Sequence, residues 1–326
     1  MKAVVCRAWG PPESLVIEDR PALEAQPGTV VVSVKAASVK FADTLIIQNK
    51  YQTKPELPFI PGSEVAGIVK AVGAGVEGWG VGDRVSAQTT YGGYAEEVLA
   101  ETDRLLAIPA SMDFASAAGM ASAYGTSYYA LTDRGQLRAG ETLLVLGASG
   151  GVGIAAVEIG KVLGAKVIAC ASSEEKLAVC RAHGADETIN YVSEDMRARV
   201  KAITRGNGVD VIYDPVGGDY SELALRDMAW GGRFLVVGFA AGDIPRIALN
   251  LPLIKGCSIV GVWIGAFAKR DRARHRANAL ELWKWFGEGK IKPHVSAAYP
   301  LEKAADALNA LAGRKVAGRV VLTTGA

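Results

Sequence analysis

The chain has 326 residues, half of them apolar, with 36 Lys and Arg against 34 Asp and Glu. That length exceeds the usual single core and predicts two domains, while the near balance of charge argues against a dedicated nucleic-acid binder. No apolar run free of charges and glycines reaches the ~18 residues of a membrane helix, and the opening MKAVVCRAWG lacks a signal-type apolar core, so a cytoplasmic, membrane-free protein is expected.

In chain order, residues 2–7, 15–19, 29–36, 65–72, 83–86, 93–99 and 105–107 read as short Val-rich strands broken by Gly, Pro or Asp, with one helical segment at 41–48. Many short strands with regular turn signals predict a small, partly open barrel. From Asp113 the texture changes, and 114–120 and 125–132 are Ala-rich and helical. The apolar run 143–146 then meets Gly147, Ala148, Ser149, Gly150, Gly151, Val152 and Gly153, followed by helical spacing to 163 and a second β-like run at 166–171. A strand, glycine turn, helix and strand within about thirty residues is the layout of a dinucleotide-binding βαβ unit. Glycines let the backbone turn tightly and approach a pyrophosphate, and the first N–H groups of the helix face that anion.

Strands and helices alternate from there: helix 174–182, strand 187–190, helix 193–204 with Ser193 as its cap, strand 209–213, helix 220–228, and strands 233–237 and 258–262. This pattern predicts a doubly wound parallel sheet. Helices at 272–286 and 303–311 and a strand at 318–323 follow, the last returning to the first domain. The expected α/β division is therefore 1–120 with 266–326 for the barrel and 121–265 for the nucleotide domain.

An NAD site usually carries an acidic side chain roughly twenty residues beyond the glycines, for the ribose 2′-OH. Here the second strand ends in Ser172 and Ser173, small hydroxyl residues that leave room for a 2′-phosphate, and Lys176 offers a counter-charge one turn later. NADPH is expected over NADH. Glu174 and Glu175 are the competing ribose partners, read instead as first-turn carboxylates that complement the helix dipole. The basic run 269–276 reads as a solvated helix face, with Trp283 and Trp285 as packing residues. Cys6, Cys170, Cys180 and Cys257 are scattered, which fits core packing and neither disulfides nor a structural metal.

Several motifs together carry a family resemblance: Phe41-Ala42-Asp43-Thr44, Leu57 to Gly67, Gly80 to Val85, Gly92-Gly93-Tyr94-Ala95-Glu96, the glycine turn itself, Gly184-Ala185-Asp186, Asp214-Pro215-Val216-Gly217-Gly218 and Gly231-Gly232-Arg233. The chain resembles the medium-chain dehydrogenase/reductase superfamily, and within it the zinc-independent quinone oxidoreductases of the zeta-crystallin type. The resemblance implies a GroES-like barrel domain and a Rossmann domain, hydride transfer to a quinone or another α,β-unsaturated carbonyl compound, and a homodimer joined through 258–264. It further implies cofactor contacts from Thr126, Tyr191, Gly238, Phe239, Val262, Trp263, Ile264 and Arg314, with Arg319 the alternative to Arg314. Tyr51 matches a substrate-side tyrosine. The same scaffold serves enoyl-thioester, alkenal and haloacrylate reductases and low-turnover NADPH-binding crystallins, which are the alternative functions.

Two departures sharpen the reading. Zinc alcohol dehydrogenases of the superfamily have a Cys in the segment around Ser38–Lys40 and a Gly-His-Glu where this chain has Gly62-Ser63-Glu64; without Cys or His here, no zinc is expected. Lys40 stands where related quinone reductases usually carry Asn; it either points a cation at the cleft, favouring an anionic or carbonyl-bearing substrate, or extends to solvent from its loop. No general acid is assigned, with water or Tyr51 as the candidates.

Overall fold

The structure is a computed structural model that describes residues 1–52, 54–314 and 316–325. Its strands are Lys2–Val5 (β1), Val16–Asp19 (β2), Thr29–Val39 (β3), Glu64–Val72 (β4), Arg84–Gln88 (β5), Glu97–Glu101 (β6), Leu105–Ala107 (β7), Thr142–Val145 (β8), Lys166–Ala171 (β9), Glu187–Asn190 (β10), Val209–Asp214 (β11), Met228–Val236 (β12), Ser258–Gly261 (β13), Val295–Pro300 (β14) and Arg319–Thr323 (β15). The chain forms two units, Met1–Ser122 with His294–Ala326, and Ala123–Pro293.

The split unit is built on β3, whose Val-rich run favours a pleated, buried strand. One edge of β3 pairs antiparallel with β4. The other edge is shared: its first half pairs with β6 and its second half with β15. Strands β5 and β7 extend the sheet beyond β4, and β14 runs parallel beside β15. The β1–β2 pair attaches through backbone bonds that include Val4 N–H to the Tyr94 carbonyl and Cys6 N–H to that of Phe59, both 2.8 Å. This is the GroES-like barrel the sequence predicts. Val4, Val30, Val32, Val34, Val65, Val85 and Leu322 fill its core, each contributing about 1.5–3 kcal/mol by burial. Strand β14 escaped the sequence reading because its residues alternate only between half-buried and exposed.

The second unit is a six-stranded parallel sheet of order β10-β9-β8-β11-β12-β13. Counted within the unit, that is 3-2-1-4-5-6, the Rossmann order, with its switch point between β8 and β11. Helix Gly151–Val162 crosses from β8 to β9 and is buried along most of its length, as its apolar sequence requires. Helix Met196–Ile203 is capped by Asp195, whose side chain accepts the Ala198 N–H at 3.0 Å, and not by Ser193.

This unit also runs further than the expected boundary at 265, to Pro293. Helices Ile264–Arg270 and Arg272–Gly287 belong to it because their aromatic rings pack on the helical segment after Gly125. Phe267 stacks on Tyr129 with centroids 4.2 Å apart, and Trp285 lies 5.3 Å from Tyr128. Asn278 donates to Asp133 at 2.9 Å, and Arg274 pairs with the same carboxylate. Trp283 and Trp285 are buried, so they pack as expected.

Candidate functional site

The glycine turn lies at the carboxyl end of β8, beside the switch point. Gly147 has φ 56°, in the left-handed region, and a Cβ there would lie 2.7 Å from Val216 Cγ2. Ala148 N–H donates to the Cys170 carbonyl at 2.9 Å, tying the turn to β9. Gly150 caps the helix in an extended conformation, and its own face is open: a Cβ added there would meet nothing nearer than the Gly147 oxygen at 3.4 Å. Gly153 is the opposite case, with the Gly147 oxygen at 2.4 Å and the Ala148 Cα at 2.7 Å. Packing of the helix on the turn thus requires glycine at 153, whereas nothing in the fold itself requires it at 150. The first helical N–H groups, with Ala148, Ser149, Gly150, Gly151 and Val152 around them, have no intrahelical acceptor and suit an anion. The buried Ser127 Oγ lies 2.8 Å from both the Val152 carbonyl and the Tyr213 hydroxyl, which fixes the helix start against β11. Thr126, one residue earlier, is also buried.

At the ends of β9 and β10 the structure brings Ser172, Ser173, Lys176 and Tyr191 together. Ser173 caps helix Glu174–Ala182 by accepting the Lys176 N–H, and Lys176 Nζ donates to Ser172 Oγ at 3.0 Å. Tyr191 N–H donates to the Ala171 carbonyl at 3.2 Å, and its ring lies 4.4 Å from that of Tyr220. Both competing acids have protein partners, Glu174 outside this cluster and Glu175 on Ser173 within it. Glu174 pairs with Arg181, and the Ser173 hydroxyl holds Glu175 below its ordinary pKa. Gly238 and Phe239 follow β12, where Gly238 N–H donates to the Asp214 carbonyl at 3.2 Å. Val262, Trp263 and Ile264 follow β13, Val262 buried and Trp263 exposed. Arg314 belongs to the split unit, in a left-handed conformation after helix Ala304–Ala312. Its alternative, Arg319, is buried in that unit and spends its guanidinium on the Ala118 and Ser116 carbonyls at 2.7 and 3.2 Å. That leaves Arg319 unsuited to a phosphate.

The split unit gathers a polar cluster that the sequence reading only half found. Lys40 precedes helix Phe41–Ile46, and its backbone N–H donates to Asp43 Oδ2 at 2.9 Å. The same buried oxygen accepts the Tyr94 hydroxyl at 2.8 Å. Tyr94 is fixed in turn by Gly62, whose φ of 84° and absent Cβ admit the ring at a distance no side chain would tolerate. Lys40 Nζ donates to Ser63 Oγ. Next to Ser63, Glu64 is fully buried; its Oε1 accepts the Ser122 N–H at 2.9 Å, while Oε2 has no hydrogen-bond partner. Burial raises the pKa of both Asp43 and Glu64, and the Lys40 charge pulls each back down. Burial and then the Asp43 charge push the half-buried Tyr51 phenol up, which brings Tyr51 within electrostatic reach of this cluster. Asp43, Ser63 and Glu64 lie in motifs visible in the sequence, but a carboxylate's burial beside a lysine is a tertiary fact with no local signature.

Comparison with known proteins follows the same division. Residues 26–124 match the family model described as alcohol dehydrogenase GroES-like domain, and 151–282 the one described as zinc-binding dehydrogenase. A quinone oxidoreductase-like protein 2 homolog of Nematostella vectensis is 42% identical over 99% of this chain and 89% of its own length. A probable oxidoreductase from Mycobacterium abscessus superposes with a TM-score of 0.90 at 40% identity, covering 99% of this chain and 98% of the other. Escherichia coli quinone oxidoreductase, solved in complex with NADPH, superposes with a TM-score of 0.91 at 30% identity over 99% of this chain and all of its own.

Proposed function

We infer that this chain, which belongs to the medium-chain dehydrogenase/reductase superfamily in its quinone oxidoreductase branch, is an NADPH-dependent reductase of quinones or other α,β-unsaturated carbonyl compounds. The observation that carries the reading is the pairing of the glycine turn with Ser172, Lys176 and Tyr191 where an NAD site would present a carboxylate. Bound there, NADPH supplies the hydride. Gly150 to Gly153 would hold the pyrophosphate at the helix N-terminus, and Ser172, Ser173, Lys176 and Tyr191 would take the 2′-phosphate. Thr126, Gly238, Phe239 and Val262 to Ile264 hold the nicotinamide end. Lys40 and Tyr51 face the acceptor, where a cation favours the oxygen that gains charge as hydride arrives.

The residues at the zinc positions of related dehydrogenases do not fit a zinc ion. A lysine ammonium and a serine hydroxyl occupy them, hydrogen-bonded to each other, with one carboxylate alongside. Hydride transfer without a metal is the consistent chemistry. Strand β13 is an unpaired sheet edge flanked by exposed Trp230 and Trp263, 81% and 62% accessible, which supports a homodimer joined through this edge. Among the described residues no helix is long and apolar enough to cross a membrane.

Following NADPH absorbance with a panel of 1,4-quinones, enals and enoyl thioesters tests the reading. Turnover of quinones or enones is expected. Preference for enoyl thioesters moves the chain to the thioester reductases, and tight NADPH binding without oxidation by any acceptor makes it a binding protein.

A further inference from the structure

We propose that Ser63 is a catalytic residue: its hydroxyl, polarised by the Lys40 ammonium, donates the proton that neutralises the acceptor's oxygen during reduction. The proposal rests on the reductase reading above and supplies the general acid which that reading lacks. Two observations and one chemical principle carry it. Lys40 Nζ donates to Ser63 Oγ, so the Ser63 hydrogen is directed away from the lysine. An oxygen that accepts from a cation is a stronger proton donor than a free hydroxyl. Lys40 and Ser63 are both only half-buried, whereas Asp43, Glu64 and Tyr94 around them are closed off from solvent, so this pair is the reachable end of the cluster.

The buried carboxylates give the lysine a reason to stay there. The Lys40 charge acts on both Asp43 and Glu64, and their burial makes that attraction weakly screened. The Asp43 carboxylate is itself locked by the Tyr94 hydroxyl and the Lys40 N–H. Lys40 is thereby held on the Ser63 oxygen, which leaves the serine hydrogen for another acceptor.

The acceptor's carbon gains a hydride with its two electrons from the nicotinamide cofactor, and the displaced π pair moves to the carbonyl oxygen. The Ser63 O–H bond breaks as a new O–H bond forms on that oxygen, and a proton passes from Lys40 Nζ to Ser63. The neutral amine then regains a proton from solvent.

The test compares the parent with Ser63→Ala and Ser63→Thr in three measurements: NADPH dissociation constant by tryptophan fluorescence, kcat with a 1,4-quinone and an enone, and binding of 4-nitrophenol by its phenolate absorbance with NADP+ present. Ser63→Ala is expected to lower kcat by about 100-fold, to weaken 4-nitrophenolate binding about tenfold, and to leave NADPH affinity within twofold. Ser63→Thr, which keeps a hydroxyl, is expected to retain kcat within about threefold. A Ser63→Ala kcat within twofold of the parent overturns the proposal, as does a loss of NADPH affinity equal to the loss in kcat. If the parent reduces no acceptor, the reductase reading fails by itself. The nitrophenolate difference then decides the Lys40–Ser63 pair: its presence supports a hydrogen-bonding site for an oxyanion, and its absence overturns it.

Discussion

Replacing Gly153 with alanine inserts a methyl group into the backbone of the turn that Gly147 and Ala148 form. The added Cβ would lie 2.4 Å from the Gly147 oxygen and 2.7 Å from both the Ala148 Cα and its oxygen. These are main-chain atoms of one tight turn, so no side chain can swing aside. Overpacking of this kind costs about 1–3 kcal/mol, and backbone contact this close belongs at the upper end. Alanine returns up to about 1 kcal/mol through better helix propensity, so the net loss is about 1–2 kcal/mol. For a domain of this size that lowers Tm by about 2–8 °C. With the pyrophosphate at this turn, as the proposed function has it, NADPH affinity should fall at least about tenfold, one lost charge-assisted hydrogen bond's worth. Gly150→Ala is the control: its Cβ finds nothing nearer than 3.4 Å, at a φ of −75° that alanine adopts freely. That variant should keep the parent's Tm and lose affinity alone. Differential scanning fluorimetry with and without NADPH reads both quantities. A Gly153→Ala protein that melts with the parent and binds NADPH equally well would refute the packing argument.

Further outcomes follow from the same geometry. Lys176→Ala should raise the KM for NADPH about tenfold and leave that for NADH unchanged, because in the proposed function the ammonium pairs with the 2′-phosphate that NADH lacks; equal effects on both cofactors would remove its selectivity role. Burial pushes the Glu141 pKa up, but the Arg233 fork, with contacts of 2.9 and 2.6 Å, and the Arg138 N–H and charge together hold it below its ordinary value. Its stabilisation is therefore present above the unfolded value of 4.5 and lost as pH falls through the lower folded one. Glu141→Gln should cost about 1–2 kcal/mol in urea unfolding at pH 7, with the gap closing only below pH 4.5. In native-state alkylation at pH 8, half-buried Cys257 should react first. Cys170 and Cys180 should stay unmodified, because burial pushes both thiols up, Cys180 to about 12.

The parallel sheet was legible because its strands are buried on both faces and read as continuous apolar runs, as at 143–146 and 166–171. The glycine turn was legible for a related reason: Gly147 and Gly153 answer local backbone demands that no other residue meets. Helix starts were less so. Ser193 and Asp195 are both good caps by type, and only the chain's path after β10 selects Asp195. The boundary at Pro293 was hidden because helices 264–270 and 272–287 declare their partner through ring contacts with Tyr128 and Tyr129, far away in sequence.

By itself, the sequence determined the two-domain plan, the dinucleotide turn, the hydroxyl-and-lysine end of β9 and the absence of Cys at 38–40 and of His at 63. These are written in residue types at short spacing, where local backbone and side-chain chemistry suffice. Only the tertiary structure decided that Glu174 and Glu175 are engaged by Arg181 and Ser173, that Arg319 serves Ser116 and Ala118, and that Lys40 rests on Ser63 above two buried carboxylates. Burial sets the strength of a charge's interactions, and burial is a property of the packed chain.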